Sequence, residues 1–347
     1  EGIRMRQLLN MLFVTKPDVY LGLNGENITV RENDKIIARY PLHNLEGIVS
    51  FSNLGISSQL MEKCVSQNIS ICFLTPTGRF RARVIGETRG NVLLRKKQYQ
   101  IADQKDTCLE IACNFILGKV YNEKWLLERY IRQYPMRVPM EEMKKASLSL
   151  SDYMHEIQGS ENMDQLRGFE GSAQVVYFSE FDHMIINQKE AFYFYGRNKR
   201  PPEDRVNSLL SFAYTLLAND ITAALETVGL DPYIGFMHQD RPGRASLAND
   251  LIEELRAPIG DRFVLSLINR KQLHADDFEI NENKSVYIKE AARRTFISEW
   301  QKKKQEELTH PFLGEKMSWG LVPYSQALLL ARYLRGDLDE YPPFYWK

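Results

Sequence analysis

Three acidic positions and one histidine stand out by type and spacing. In the segment 164–177, Leu166, Phe169, Ala173, Val176 and Tyr177 form one helical stripe, and at 100° per residue Glu170 falls inside it. A carboxylate on a core-facing stripe is costly unless it is paired, protonated or bound to metal. Arg167, three residues earlier, is the ion-pair partner that a purely structural reading supplies. His238 sits in the loop 231–245, which also carries Pro232, Gly235, Pro242 and Gly243. Ser246 then reads as the N-cap of a helix whose buried stripe is Leu247, Leu251 and Leu255. Asp250 and Glu253, three apart, are neighbours on its flank. Glu254 is equally near Asp250 but closer to the leucine edge, so spacing leaves the choice between the two glutamates open. Singly, such residues also occur as solvated helix faces or structural loop groups.

The elements that must hold these residues divide at about 93–103. Before it, 19–21 and 28–30 flank Asn24-Gly25, a hairpin signal because both residues tolerate positive φ. Short β-branched or aromatic runs follow at 35–40, 48–51, 69–74 and 80–85, separated by turns such as Pro76-Thr77-Gly78, with one amphipathic helix at about 59–67. After it, the period becomes helical, as in Cys108, Ile111, Ala112, Phe115, Ile116 and Val120. Helices are expected at about 105–133, 140–157, 160–190, 203–227, 246–269, 287–307 and 323–335. The expected fold is therefore α+β: a small β-rich domain over 5–93, a linker over 94–106, and a larger all-α catalytic domain over 107–347.

Composition sets the outer limits. At 347 residues the chain is long for a single core. Apolar runs such as 69–74 are far too short to cross a bilayer, so no membrane span is expected. The opening Glu1-Gly2-Ile3-Arg4-Met5 lacks a secretory apolar stretch and reads as an expression remnant ahead of a start at Met5, which implies a cytoplasmic protein. Cys64, Cys72, Cys108 and Cys113 have neither a C-x-x-C pairing nor a histidine at zinc spacing, and read as reduced packing residues. Net charge is zero, which argues mildly against nucleic acid, but the distribution is uneven. Residues 79–97 carry Arg79, Arg81, Arg83, Arg89, Arg95, Lys96 and Lys97 against Glu87, and a second basic run lies at 284–304. Such runs are solvated faces or phosphate-tracking surfaces.

Taken together, Arg167, Glu170 and Gly171, then Gly235 and His238, then Ser246-Leu247 followed by Asp250, Leu251, Glu253 and Arg256, resemble the Cas-one family, the CRISPR-associated integrases. That family carries R-x-x-E-G, G-x-x-H, and a helix beginning S-L and running D-L-x-E-x-F-R. Leu255 stands where phenylalanine is usual and Ala257 where proline often follows the arginine, departures that bear on packing. The resemblance covers nearly everything after Met5, including Leu8 to Leu21, Asp204 to Ser211, and Gln326-Ala327 to Tyr341-Pro342. The opening and close look most like the form accompanying type I-C systems.

The resemblance implies a role for each matched residue. Glu170, His238 and Glu253 take the places of the metal ligands, Asp250 that of a supporting acid, and Glu254 is left as an ion pair or cap. Two carboxylates and an imidazole suit Mg2+ or Mn2+. The implied reaction joins new spacer DNA into a CRISPR array by attack of a 3′-hydroxyl on a repeat phosphodiester. The alternatives are a metal-dependent DNA endonuclease and a noncatalytic DNA-binding scaffold. Implied partners are spacer-precursor and repeat DNA, a second copy of the chain through the β-rich domains, and a small Cas-two protein bridging two such dimers. By composition, Arg197, Lys199, Arg200, Arg293 and Arg294 are candidates for phosphate contact. Tyr193 and Tyr195 read first as core residues and second as platforms for bases.

Overall fold

The computed structural model describes residues 11–45, 47–75, 80–84, 86, 91–198 and 201–347. In chain order the elements are β1 (Met11–Val14), β2 (Tyr20–Asn24), β3 (Asn27–Glu32), β4 (Lys35–Pro41), β5 (Gly47–Ser50), α1 (Ser58–Ser66), β6 (Ser70–Leu74) and β7 (Phe80–Val84). Then come α2 (Val92–Ala102), α3 (Lys105–Gln133), α4 (Met140–Gln158), α5 (Met163–Ser179), α6 (Arg205–Val228), α7 (Ser246–Glu253) and α8 (Arg262–Asn269). The last are β8 (Phe278–Ile280), β9 (Val286–Ile288), α9 (Glu290–Gln305), β10 (Glu307–Thr309), β11 (Lys316–Ser318) and α10 (Val322–Arg335). The chain forms two compact units, Glu1–Arg89 with Ile288–Glu306, and Gly90–Tyr287 with Glu307–Lys347.

The first unit holds two sheets. One is the antiparallel meander β2-β3-β4, and the other has the order β1-β5-β6-β7. Strands β1, β5 and β6 run parallel, so β5 and β6 need a crossover, which α1 supplies. All four residues of β5 are buried, as expected of a central parallel strand covered on both faces. Ser57 caps α1 by accepting the Leu60 N–H at 3.2 Å. Leu21, Ile28, Ile48, Leu60, Cys64 and Ile71 lie in the core of this unit. Asn24 pairs with Asn27, so the two-residue hairpin turn is Gly25-Glu26, with φ +60° at Gly25, the position where such a turn demands glycine. Strand β1 was not legible in the sequence, and the expected turn 76–78 lies outside the described residues.

The second unit is mostly helical. The long α3 packs against α4 and α5, while α6 packs against α7 and α10. By length and composition α6 could cross a bilayer. Its Val206, Leu209, Leu210, Phe212, Ala213, Leu216 and Leu217 are instead buried, so its apolarity is that of a core helix.

Several sequence expectations need correction. The segment read as a linker at 94–106 is mainly α2, with Leu94, Gln98 and Ile101 buried on one face. Gln98 is fixed there, donating to the carbonyls of Asp231 and Ile234 and accepting from the Asp231 N–H. The region expected to be all-α also holds the paired strands β8-β9 and β10-β11, each strand only three residues long and too short for a period-2 pattern to register. The helix expected at 160–190 stops at Ser179, where Tyr177, Phe178 and Phe181 pack together and Phe194 returns onto Phe178 and Phe181. The helix expected at 246–269 breaks into α7, a wide π-type turn over Arg256–Asp261, and α8. Pro258 is the reason, because it cannot donate to the carbonyl four residues back. Helix α9, expected in the helical domain, groups with the first unit.

Asp204 caps α6 from a buried position, accepting from the Asn207 N–H at 2.7 Å and from Asn207 Nδ2 at 2.6 Å. Asp204→Ala is expected to destabilise the helical unit by about 1–2 kcal/mol. Urea unfolding followed by circular dichroism checks this through a lowered midpoint at unchanged slope.

Candidate metal and catalytic site

The site is built from α3, α5, the loop before α7, and α7 itself. Lys119 points from α3 into the unit and is 1% exposed. Its ammonium contacts the Glu170 carboxylate from α5 and lies 3.0 Å from Glu253 Oε2 on α7. Two carboxylates 83 positions apart in sequence thus meet at one cation. Burial alone would push the ammonium pKa down, but the Glu253 and Glu170 carboxylates outweigh it and hold Lys119 charged. Glu253 is buried too, which would favour its neutral form. Arg256, whose NH2 lies 3.0 Å from Glu253 Oε1, and Lys119 overcome that and bring its pKa down to about 2.

His238 is placed by Asp250. One oxygen of this fully buried carboxylate accepts the Phe236 and Met237 N–H groups at 2.7 and 3.0 Å. The other accepts the His238 N–H at 3.0 Å and takes His238 Nδ1 at 2.6 Å. A carboxylate already accepting three backbone protons makes Nδ1 the donor and leaves Nε2 with its lone pair. The loop approaches α7 closely at Gly235, where a Cβ would fall 2.8 Å from both Asp250 Oδ2 and Ser246 Cβ. Arg167, the expected partner of Glu170, turns instead to the Met237 carbonyl at 2.8 Å and to Asp164 at 3.2 Å. It thereby ties α5 to the His238 loop.

The donor chemistry fits a hard divalent cation: carboxylate oxygens at Glu170 and Glu253 and an imidazole nitrogen at His238. Glu253 Oε2 is buried and is met by the Lys119 ammonium at 3.0 Å as an ion pair. Among the described residues, however, no three acid, histidine or cysteine side chains close on a single point. Convergence of Glu170, His238 and Glu253 around one ion was expected; in this arrangement the Lys119 ammonium stands between the two glutamates.

Glu254 occupies the C-cap position of α7, and its carboxylate is held by neutral donors where an ion pair was the other expectation. It is fully buried and accepts from the Tyr341 hydroxyl, from Gln326 Nε2 at 3.0 Å and from the Phe344 N–H at 2.7 Å. Burial raises its pKa to about 7 against these hydrogen bonds.

Of the basic candidates, Arg197 donates to Asn207 Oδ1 at 2.6 Å and Ser211 Oγ at 3.1 Å, and lies 5.3 Å from the Tyr214 ring. Arg256 lies 5.2 Å from that ring, and Tyr214 and Tyr177 both donate to the buried Asp261. In the first unit, Arg293 is buried over Phe51 and Arg294 pairs with Glu290. Lys199 and Arg200 lie outside the described residues. Tyr193 and Tyr195 are not core residues: they are 39% and 92% exposed, with ring centroids 5.1 Å apart.

The sequence reading missed Lys119, Glu123 and Asn122. A signal was present for Lys119, which continues the stripe Ile111, Phe115 as a charge on a core-facing position.

The family described as CRISPR associated protein Cas1 matches residues 12–302. The chain is 47% identical over 343 residues to the CRISPR-associated endonuclease Cas1 1 of Chlorobaculum tepidum, covering 99% of this chain and 100% of that one. It is 45% identical over 347 residues to the CRISPR-associated endonuclease Cas1 2 of Rhodospirillum rubrum, with 99% and 100% covered. Among solved structures, a casposase bound to integration product superimposes with a TM-score of 0.84 at 22% identity, over 98% of this chain and 95% of that one. A Cas1 protein from Thermotoga maritima gives 0.80 at 21% identity, over 94% and 97%. These two structures share the fold of this chain, a β-rich beginning followed by a mostly helical remainder. The chain belongs to the Cas1 family of CRISPR-associated proteins.

Removing the buried ammonium tests the electrostatics. Lys119→Met is expected to lower stability at pH 7 by about 3–5 kcal/mol, the usual result of breaking a buried pair from one side. Because the folded pKa of Glu253 is depressed, its pairing contributes fully above its unfolded value near 4.5 and is lost as pH falls toward about 2. The gap between the parent and Lys119→Met in urea unfolding should therefore be widest at neutral pH and narrow below about 4.5.

Proposed function

We propose that this chain is an integrase of CRISPR adaptation, joining short DNA fragments into a CRISPR array by attack of a DNA 3′-hydroxyl on a repeat phosphodiester. The observation that carries this reading is the meeting of Glu170 and Glu253 at one cationic group beside a histidine whose Nδ1 is held by Asp250, in a member of the Cas1 family. Glu170, His238 and Glu253 would hold a divalent metal, with Mg2+ and Mn2+ the ions this donor set favours. When bound, such an ion polarises the scissile phosphate, lowers the pKa of the attacking hydroxyl and stabilises the leaving oxygen.

The chain's own side chains prepare that chemistry. Asp250 fixes the tautomer and direction of His238, so Nε2 is the nitrogen offered. Lys119 and Arg256 keep Glu253 ionised and ready to act as a donor. The cluster on α3, α5 and α7 forms before substrate arrives, which spares reorganisation during the reaction.

The relatives' names, CRISPR-associated endonuclease, favour a second reading in which water is the nucleophile and DNA is cut. Both reactions use the same ligands, and the product distinguishes them. We further assign DNA as the bound polymer, the β-rich unit as the dimerisation surface, and a Cas2-type protein as the bridge between two dimers, in a cytoplasmic complex. A Cas6-RT-Cas1–Cas2 complex shares the fold at a TM-score of 0.81 and 22% identity, over 99% of this chain and 37% of that one. The likeness of the opening and close supports a type I-C system. Arg197, Lys199, Arg200, Arg293 and Arg294 stay proposed phosphate contacts; Arg294 is the most exposed of the described three, and Tyr195 is free to stack on a base.

The test combines labelled fragments, repeat-bearing plasmid, either metal and a Cas2-type partner. Label covalently joined to plasmid supports the integrase, and nicked plasmid alone supports the endonuclease. Glu253→Gln and His238→Ala are expected to lower joining at least about 100-fold while DNA binding stays within about threefold, because ligands to the ion serve the transition state more than ground-state phosphate contact. Joining that survives both Glu170→Ala and chelation leaves only a scaffold.

A further inference from the structure

The last residue of α7, Glu253, and the next, Glu254, are sorted to different surroundings. Glu253 meets Lys119 and Arg256, whereas Glu254 is enclosed by neutral donors from the end of the chain: the Tyr341 hydroxyl, Gln326 Nε2 and the Phe344 N–H. A second clamp comes from Asn122 on α3. Its Nδ2 donates to the carbonyls of Glu254 and Phe344, each at 2.7 Å, and its Oδ1 accepts the Trp346 N–H at 3.0 Å. The Glu254 carbonyl is the one that Pro258 leaves without a helical donor, so Asn122 replaces a bond the α7 sequence forgoes. Gly118 makes the approach possible: a Cβ there would lie 2.9 Å from Glu254 Cβ and 3.1 Å from Pro343 Cβ.

We propose that the C-terminal segment Tyr341–Trp346 is a positioning strap that sets the rotation of α7, and with it the direction of the Glu253 carboxylate. Helix α7 has eight residues, too few to be held by its own backbone bonds, so its orientation is set by what grips it. Consecutive side chains differ by about 100°, and fixing Glu254 therefore fixes Glu253. Tyr341 and Asn122 act through Glu254 and are positioning residues, while Gln326 steadies the strap by donating to the Tyr341 hydroxyl at 2.6 Å and the Pro342 carbonyl at 3.2 Å. The inference rests on Glu253 being a metal ligand, as proposed above.

The chain tests it with Tyr341→Phe, which removes one hydroxyl and keeps the ring against Phe115 (centroids 5.1 Å apart), and with Asn122→Ala. Asp204→Ala, destabilised away from the strap, is the control. Mn2+ affinity is measured by calorimetry, stability by thermal unfolding, and protection of α7 by hydrogen exchange. Either strap variant should bind Mn2+ about tenfold more weakly. The α7 amides should also exchange faster, while Asp204→Ala binds Mn2+ like the parent. Strap variants that melt earlier yet keep parental Mn2+ affinity would overturn the inference alone, leaving Tyr341 and Asn122 as stabilising residues. A parent chain without Mn2+ binding removes the metal reading, and the strap's purpose with it.

Discussion

Lys119 sits 1% exposed on a long core helix with Glu170, Glu253 and Glu123 around it, and the helical unit depends on that charge being balanced. An ammonium stripped of water is tolerable only where carboxylates compensate it, and the same holds in reverse for Glu253. Helices α3, α5 and α7 must therefore approach until these groups touch. Glu123, one turn beyond Lys119, is buried as well, and burial lifts its pKa to about 8 while Gln174 donates to it at 3.1 Å. At neutral pH it is mostly protonated, which keeps a third negative charge off the cluster.

Around that core, α3 distributes its contacts by face. Gly118 and Asn122 receive the chain's end and the start of the turn after α7, while Lys119 and Glu123 look toward α5. The irregular turn over Arg256–Asp261 is part of the same arrangement. It places Arg256 against Glu253 and brings Asp261 under the hydroxyls of Tyr177 and Tyr214. Asp261 is raised to about 6 by burial, and the two tyrosine donors and nearby guanidinium groups limit that rise. A regular helix through Pro258 would lose these placements.

The family motifs acquire physical content at some positions and not at others. Gly235 is required by the close approach of its loop to Ser246 and Asp250, and Asp250 is required by four hydrogen bonds that shape the loop and aim His238. Gln326 and Tyr341, far from the acids in sequence, belong with the site because they hold Glu254. Gly171, by contrast, has open space where its side chain would be, and nothing in the structure explains it.

Periodicity alone separated a β-rich beginning from a helical remainder and exposed Glu170 as a charge on an apolar stripe, because burial leaves a mark every 2.0 or 3.6 residues. Spacing alone set Asp250 near both Glu253 and Glu254 on one helix, and the family resemblance selected Glu253. Elements too short to repeat a period, such as β1 and the ribbons β8-β9 and β10-β11, left no such mark. The partner of Glu170 also lay beyond local pattern: Arg167 was near in sequence, but Lys119, 51 positions away, was near in space. The same distinction separated Glu253 from Glu254. Their spacing is nearly equivalent along one helix, and only the arrival of α3 on one side and the chain's end on the other decides which carboxylate meets charge and which meets neutral donors.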